Sequence, residues 1–370
     1  MHIAICGGGV IGSALAYELT ARGERVTLIE RWRIAGAASG KSGGFLARDW
    51  CDGTPLQTLA EVSFDRHQEW ADRLDNPYGY RRVATYSAAM SARRTLPPRG
   101  DRDAAAWLAD EAVNRQRLGT QATTAQLDPA QFTTALAERA ARDGARIRIG
   151  AVAGLSTDAA GNAATGVVLE DGDRIDADAV VLALGPWSLL AATWVPLPPV
   201  YGLKGHSIIL RPRKTLPAEA IFAEFEDRDG DVLTPEIVPR ADGTLYVCGL
   251  SGADSMPVDP ARVEPEPGGA EKLIDVTTRL VPSLEGAEVI ARQACFRPVT
   301  ADGLPLIGPV PGLENVHVAT GHFVWGMLNA PGTATALADL LLTGASAEID
   351  LSPFAPARMR PLDPADLELS

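Results

Sequence analysis

Cysteine and histidine are scarce in this chain. Its 370 residues include four cysteines, Cys6, Cys51, Cys248 and Cys295, and no two of them have C-x-x-C spacing. A cysteine-based zinc site and a disulfide framework are therefore not expected. The five histidines show no ligand spacing, so the sequence predicts no metal site.

Long apolar runs and targeting signals are also lacking. No run approaches the roughly 20 apolar residues that a helix needs to cross a bilayer. Met1 leads at once into a predicted strand and a glycine turn, a pattern unlike a signal peptide. We therefore expect a cytoplasmic protein that has no membrane partner.

The sequence has no excess of positive charge. It contains 34 Lys and Arg against 47 Asp and Glu, for a net charge of −13. Nucleic acid is not an expected partner, because phosphate binding requires a basic surface. With 46% hydrophobic residues, the chain can bury a large core, and its length predicts two domains or one large α/β unit.

The first thirty residues predict a strand, a helix and a second strand. Residues 2–6 form a short apolar run. A helical pattern follows, with Leu15 and Leu19 on one face, and it ends at Gly23. Residues 25–29 form the second strand. This order is typical of a dinucleotide-binding βαβ unit.

The turn between the first strand and the helix has the pattern G-x-G-x-x-G at Gly7, Gly9 and Gly12. Gly7 allows a tight turn, Gly9 lets a pyrophosphate approach the amides at the helix N-terminus, and Gly12 allows close packing. Glu30, at the end of the second strand, is placed to accept a ribose hydroxyl. The pattern predicts adenine-dinucleotide binding and leaves NAD and FAD open.

Residues 35–46 favour FAD over NAD. The segment is rich in Gly, Ala and Ser, so its backbone can come close to a second bulky part of a ligand and donate amide hydrogen bonds. The alternative is a surface linker, to which Phe45, Leu46 and the nearby Trp50 are poorly suited.

Four separated blocks of this sequence resemble the D-amino-acid-oxidase-like family of FAD-dependent oxidoreductases, which includes glycine oxidase and sarcosine oxidase. Within the first block, residues 39–51 are most similar to a Tda3-type branch. The later blocks are residues 128–187, 295–308 and 317–332. The resemblance covers nearly the whole chain.

The resemblance implies an α/β fold with two domains. One is a Rossmann-like FAD-binding domain of the GR2/DAO type, and the other is a substrate domain of α+β type with an antiparallel sheet. The FAD-binding domain is predicted to comprise residues 1–76, 121–199 and 297–370, and the substrate domain residues 77–120 and 200–296.

Local patterns predict further elements. Asp128 and Pro129 predict a helix start, with Phe132, Leu136 and Ala140 on its buried face. Alternating strands, a buried strand at 179–184 and an apolar helix at 333–342 follow. The predicted substrate segments contain a strand at 80–90, a helix at 104–118, an antiparallel sheet at 204–248, a surface loop at 258–269 and, after the last helix, a loosely packed tail at 351–370.

The resemblance also implies the residues that contact FAD. They are Gly7, Gly9, Val10, Ile11, Gly12, Glu30, Arg31, Ser39, Gly40, Lys41, Ser42, Gly43, Gly44, Phe45, Leu46, Val152, Ala183, Gly185, Trp187, Cys295, Arg297, Gly321, His322, Gly326, Met327 and Leu328. The backbone of Val152 would hold the adenine. Amides at 326–328, with a helix behind them, would stabilise negative charge at the isoalloxazine.

Arg297 is the candidate for binding the substrate. It stands where the family has an arginine that holds the substrate carboxylate, a task that suits a planar guanidinium. The alternative is a structural ion pair. Glycine oxidase has a further arginine in its final loop, and Val324 fills that place here. This difference argues against glycine and for a larger or differently anchored substrate.

Three further residues are catalytic candidates. Lys204 lies in the segment that enters the predicted substrate domain, where its charge would stabilise anionic oxygen during reoxidation; otherwise it is an exposed cation. His322 and Trp325 lie on the loop facing the isoalloxazine, as pocket walls or, for the histidine, as a proton relay.

Cys295 carries a separate hypothesis. In sarcosine oxidases, a cysteine at a similar place is linked covalently to the flavin, and the spacing to Thr300 and Asp302 fits that comparison. The alternative is a small buried side chain that packs as a hydrophobe.

The expected function is FAD-dependent oxidation of the C–N bond of an amino acid or secondary amine, with oxygen as acceptor and hydrogen peroxide as product. One alternative is a dehydrogenase that passes electrons to another acceptor. Another is a non-catalytic, flavin-bound regulatory or trafficking protein. An NAD dehydrogenase would leave three of the four blocks unexplained.

Overall fold

The computed structural model describes residues 1–101 and 104–366. Within them the helices are α1 (Val10–Ala21), α2 (Ala38–Lys41), α3 (Gln57–Arg73), α4 (Pro129–Arg142), α5 (Ser188–Ala191), α6 (Gly269–Leu280) and α7 (Gly326–Thr343). The strands are β1 (His2–Cys6), β2 (Arg25–Glu30), β3 (Phe45–Ala47), β4 (Arg81–Arg82), β5 (Ala84–Ser91), β6 (Val113–Gly119), β7 (Thr124–Gln126), β8 (Arg146–Ile149), β9 (Val152–Thr157), β10 (Ala164–Leu169), β11 (Arg174–Asp176), β12 (Ala179–Leu182), β13 (Tyr201–Arg211), β14 (Glu219–Glu226), β15 (Val232–Leu233), β16 (Glu236–Pro239), β17 (Leu245–Ser251), β18 (Glu288–Val299), β19 (Leu306–Pro309) and β20 (Val316–Thr320). None of the described helices is both long and apolar enough to cross a membrane.

A six-stranded sheet contains the N-terminal unit. Its order is β19-β20-β12-β1-β2-β8, and its neighbours are parallel except for β19 and β20. Ile3 and Ile5 of β1 belong to a core shared with α1, α3, α4 and α7, whereas Ala4 and Cys6 pack towards β10 and β11. Because both faces are covered, the strands of a parallel sheet are buried and apolar. The predicted Rossmann-like fold is confirmed.

Helix α4 begins as the sequence predicts. The Asp128 carboxylate accepts the backbone N–H of Gln131 at 2.9 Å, and Pro129 occupies the first turn, where its missing N–H costs nothing. Phe132 on the apolar face is fully buried. The helix therefore packs against α1 and the parallel sheet.

A second, larger sheet has the order β18-β13-β17-β16-β14-β5-β6, with β15 paired to β14. It is antiparallel except between β14 and β5, so the predicted antiparallel sheet is mixed at that one pairing. The predicted Asp-Gly turns connect its strands at Gly230 and Gly243, which have φ of 98° and 83°. Helix α6 packs on the outer face.

The helix predicted at 104–118 is wrong. Residues 104–112 form turns, and the remainder is β6, paired with β5. The Arg115 side chain donates to the carbonyls of Ala109 at 2.7 Å and Ala112 at 3.0 Å. These contacts take carbonyls that a helix would use internally. Trp107 instead donates its indole N–H to Glu219 at 2.7 Å.

The expected loose tail is wrong for its first part. Phe354 is fully buried in the main core. Arg358 anchors the segment by donating to Asp302 at 2.7 Å and to the Leu304 carbonyl at 2.8 Å. The part of the predicted tail beyond residue 366 lies outside the described residues.

The division into two domains stays a prediction. The six-stranded sheet uses strands from the predicted FAD-binding segments, and most strands of the larger sheet come from the predicted substrate segments. Strand β18 continues past the predicted boundary at 297, and β4 pairs with β7 across another boundary. Residues 102–103 of the predicted substrate domain lie outside the described residues.

Candidate functional site

The glycine turn after β1 has no room for side chains. Gly7 has φ of 114°, and a Cβ there would overlap the carbonyl oxygen of Ala183 at the end of β12. A Cβ on Gly12 would overlap the carbonyl oxygen of Gly7. The two glycines therefore let β1, β12 and the start of α1 approach one another closely. The positive end of α1 faces a cavity at this point.

Glu30 lies beside this turn at the end of β2. Its carboxylate accepts the backbone N–H of Gly8 at 2.7 Å and that of Trp32 at 2.9 Å. Burial raises the pKa of Glu30, and these backbone hydrogen bonds oppose the rise. The carboxylate also lines the cavity, at the place predicted for accepting a ribose hydroxyl.

A cavity of about 430 Å³ extends from the glycine turn to the inner face of the larger sheet. Most of the predicted FAD contacts line it: Gly7, Gly9, Val10, Ile11, Glu30, Arg31, Ser39, Ser42, Gly43, Gly44, Phe45, Val152, Ala183, Gly185, Trp187, Cys295, Arg297, Gly321, His322, Gly326 and Met327. Trp325 lines it as well. The structure thus brings together residues from five separated parts of the sequence.

The other five predicted contacts lie behind the lining. Leu46 and Leu328 are core residues. Gly12 and Gly40 lie against backbone carbonyls. Lys41 donates from Nζ to the Ala294 carbonyl at 2.9 Å. These residues support the wall, and their direct contact with FAD stays a prediction.

Arg240 holds the small-residue segment in place, and sequence reasoning missed it. It is buried, pairs with Asp128 at 3.2 Å and donates to the Ser42 carbonyl at 3.2 Å. Its guanidinium also lies 5.4 Å from the centre of the Tyr246 ring. That ring lies against Gly43, where a Cβ would come within 3.0 Å of it.

Arg297 occupies the far end of the cavity. Its guanidinium lies over Gly205 of the neighbouring strand β13, where a Cβ would be 2.9 Å from Nη1. With residues 1–101 and 104–366 it makes neither a hydrogen bond nor an ion pair. Arg297 therefore does not form a structural ion pair with any of those residues, which was the alternative interpretation. The positively charged guanidinium therefore faces the cavity.

Glu236 of β16 also lines the cavity, and sequence reasoning missed it. Burial raises its pKa, while Arg297 and a hydrogen bond from Cys248 act in the opposite direction. No cation of the described residues pairs with its carboxylate. A lone acid before the apolar residues 237–238 was the available signal, but the face it occupies depends on the pairing of the sheet.

His322 is almost completely buried at the cavity wall, and its Nε2 lies 3.1 Å from Thr333 Oγ1. Burial lowers the pKa of His322 to about 3, so the ring is neutral at pH 7. A neutral, buried His322 ring is better suited to lining the cavity or to hydrogen bonding than to a relay, which must take up a proton.

The start of α7 has an unusual support. The helix begins at Gly326, seven residues before the predicted start, and contains Pro331. Proline has no N–H to donate to the Met327 carbonyl four residues earlier. His67 supplies the missing donor, since its Nε2 lies 3.0 Å from that oxygen and 3.1 Å from the Leu328 carbonyl.

The structure does not bring Lys204 to this cavity. Its side chain is 4% exposed and pairs with Asp254 and, at 3.6 Å, with Glu266. It lines a second cavity, beside residues 254–267. Two carboxylates therefore pair with the ammonium, which does not line the cavity formed by the predicted FAD contacts.

Cys295 lines the main cavity, half-buried. Burial raises its thiol pKa, and Arg297 and Lys41 oppose that rise. The covalent link to flavin stays a prediction. Asp302, which supplied part of the spacing argument, pairs with Arg358 instead.

Comparison with known proteins now identifies the family. A profile described as "FAD dependent oxidoreductase" (DAO) matches residues 2–340. The chain belongs to this family. Its cofactor is therefore FAD, and it is an oxidoreductase.

Relatives of this FAD-dependent oxidoreductase span nearly its whole length. It is 29% identical to the C1F5.03c protein of Schizosaccharomyces pombe, over 95% of this chain and 97% of the relative. It is 27% identical to the TDA3 protein of Saccharomyces cerevisiae, over 96% and 94%. The predicted resemblance to a Tda3-type branch is confirmed.

Glycine oxidase of Geobacillus kaustophilus is 30% identical over 96% of both chains. The crystal structure of glycine oxidase from that organism superposes with a TM-score of 0.81 at 26% identity, covering 96% of this chain and 98% of the other. The residues of this chain fit FAD: the glycine turn leaves space for a pyrophosphate, Glu30 lines the cavity beside it, and the cavity continues to Arg297.

Proposed function

We propose that this oxidoreductase oxidises the C–N bond of an amino acid or a secondary amine that carries a carboxylate, with oxygen as the final acceptor and hydrogen peroxide as a product. FAD supplies the two-electron acceptor, at N5 of its ring system. The observation that carries the proposal is the Arg297 guanidinium, which faces the cavity and has no hydrogen-bond or ion-pair partner among residues 1–101 and 104–366.

Arg297 would bind and orient the substrate. A guanidinium holds a carboxylate through two parallel hydrogen bonds, which fixes both the position and the direction of the attached carbon. Because Gly205 has no side chain, the Arg297 guanidinium can lie directly against the backbone of β13. Positioning of this kind is the main contribution a protein makes when the cofactor carries the chemistry.

The substrate amine must be neutral before its C–H bond can give up a hydride. His322, held neutral by burial and directed at Thr333, does not place a positive charge beside it. We therefore expect the rate to rise with pH as the substrate amine loses its proton.

The aromatic and glycine-rich walls would exclude water. Trp325 and the rings of Phe45 and Trp50 line the cavity. Val324, where glycine oxidase has arginine, removes a second positive charge from the substrate region. This difference favours a substrate larger than glycine.

The test uses the purified, FAD-loaded protein. Anaerobic mixing with a panel of D-, L- and N-methyl amino acids should bleach the flavin absorbance with at least one member, and air should then restore it with release of peroxide. Bleaching without peroxide would support the dehydrogenase alternative. No bleaching by any member would support a non-catalytic, flavin-bound protein and contradict the proposal.

A further inference from the structure

Three aromatic rings line the main cavity and contact one another. Phe45 lies 5.1 Å from Trp50 and 5.0 Å from Phe222, and Trp50 lies 4.9 Å from Phe222, measured between ring centres. They come from β3, the turn after it and β14. All three are half-buried and line the cavity. Faces of aromatic rings attract organic cations.

A carboxylate lies beside these rings. Glu236 of β16 pairs directly with Phe222 of β14 in the antiparallel register, and side chains at such paired positions have Cβ atoms about 5 Å apart on the same face. Both residues line the cavity. A carboxylate next to aromatic faces combines the two interactions that bind an organic ammonium group.

Arg297 and Glu236 lie at separate positions across the sheet. The Arg297 guanidinium covers Gly205 of β13, and two strand spacings separate β13 from β16 in the order β13-β17-β16. At about 4.8 Å for each spacing, the two strands are about 10 Å apart. The two charged groups do not form an ion pair. The cavity therefore presents a cation over β13 and an anion on β16, two strands away.

We propose that Phe45, Trp50, Phe222 and Glu236 form a cation subsite for a positively charged nitrogen in the side chain of the substrate. This inference rests on the proposed function and names its substrate class: an amino acid whose carboxylate binds Arg297 and whose side chain ends in a cationic amine.

The reacting amine does not suit this subsite. It must be neutral to release hydride, and a carboxylate with aromatic faces would favour its charged form. A second nitrogen, which keeps its charge throughout, fits both requirements. Burial of the Glu236 carboxylate raises its pKa, and a bound cation would favour its ionised form.

Binding of two matched acids to the FAD-loaded protein tests the subsite. 6-Aminohexanoate and hexanoate share the carboxylate and the chain, but only the first has a terminal ammonium. Neither has the α-amine that the proposed reaction oxidises. Dissociation constants come from changes in flavin absorbance. We expect 6-aminohexanoate to bind about tenfold more tightly, as a desolvated cation–π contact and one carboxylate would give.

Variants then locate the preference. Glu236→Gln should bind both acids equally, and Phe222→Leu should reduce the difference. Glu224→Gln is the matched control, because Glu224 lies on β14 and is exposed outside the cavity. It should keep the full preference for 6-aminohexanoate.

Equal binding of the two acids by the wild-type protein would overturn the subsite without any variant. So would an unchanged preference in Glu236→Gln, or no binding of either acid. These measurements require no turnover. If 6-aminohexanoate binds more tightly but no amino acid bleaches the flavin, the proposed function fails and the subsite stands. If an amino acid bleaches the flavin but the two acids bind equally, the subsite fails and the proposed function stands.

Discussion

The Arg297 guanidinium lies directly over Gly205, and the hydrogen atom that glycine has in place of a Cβ leaves the space for it. The two residues are on neighbouring strands, β18 and β13, and both line the cavity. The guanidinium, which has no polar partner in the part of the chain that the structure describes, is thus positioned by packing. The proposed role of Arg297 as a clamp that binds the substrate carboxylate can therefore be tested in two independent ways.

The first test removes the charge. Arg297→Met should lower kcat/KM for carboxylate-bearing amines about a hundredfold, because a charge-assisted double hydrogen bond is lost. Amines without a carboxylate should be affected little. Arg292→Met is the control, since Arg292 is on the same strand but pairs with Glu271 at the surface. Equal losses with both amine types would contradict the clamp.

The second test moves the guanidinium. Gly205→Ala should lower kcat/KM tenfold or more, because a Cβ 2.9 Å from Nη1 displaces the fork from its position. In the double variant with Arg297→Met, the alanine should cause no further loss. Gly154→Ala, at a site with open space around it, should be silent. Additive losses in the double variant would show that Gly205 acts independently of Arg297.

Gly7→Ala should abolish FAD binding. The substitution combines positive φ with overlap of the Ala183 carbonyl, so the turn that receives the pyrophosphate must move. Gly144→Ala is the control, because φ there is 109° but nothing lies within 4 Å. The measurement is the ratio of flavin to protein absorbance after purification. A yellow Gly7→Ala protein with full FAD content would show that this glycine turn is not needed for FAD binding.

His67 should make the fold sensitive to acid. Burial lowers its pKa from 6.5 to about 4, so between these values the unfolded chain binds a proton that the folded chain does not. His67 alone should then lower the free energy of unfolding by about 1.4 kcal/mol for each pH unit below 6.5, and its contribution should level off near pH 4.

His67→Gln isolates this effect, because glutamine can donate to the Met327 carbonyl but does not titrate. Urea unfolding of the FAD-loaded protein at pH 7 and pH 5 gives the comparison. We expect the variant to lose about 2 kcal/mol less than the wild type between these values. Equal losses would show that His67 does not carry the dependence.

The predictions that succeeded rest on local patterns. The βαβ unit and the N-cap at Asp128 depend on residues close together in the chain, so their spacing is visible in the sequence. Gly12 depends on the same local geometry, because a Cβ there would overlap the Gly7 carbonyl. The helix predicted at 104–118 failed because Arg115 takes the carbonyls that this helix needs, a contact that propensity does not reveal.

The sequence by itself determined the dinucleotide-binding unit, the family and the identity of the candidate clamp residue. Only the tertiary structure decided that Arg297 lies over Gly205, that Glu236 joins Phe222 in the cavity wall, and that Lys204 lies elsewhere. The reason is register. A shift of one residue in a strand turns every side chain to the opposite face, and the register of the larger sheet is set by pairing between strands that are far apart in the chain.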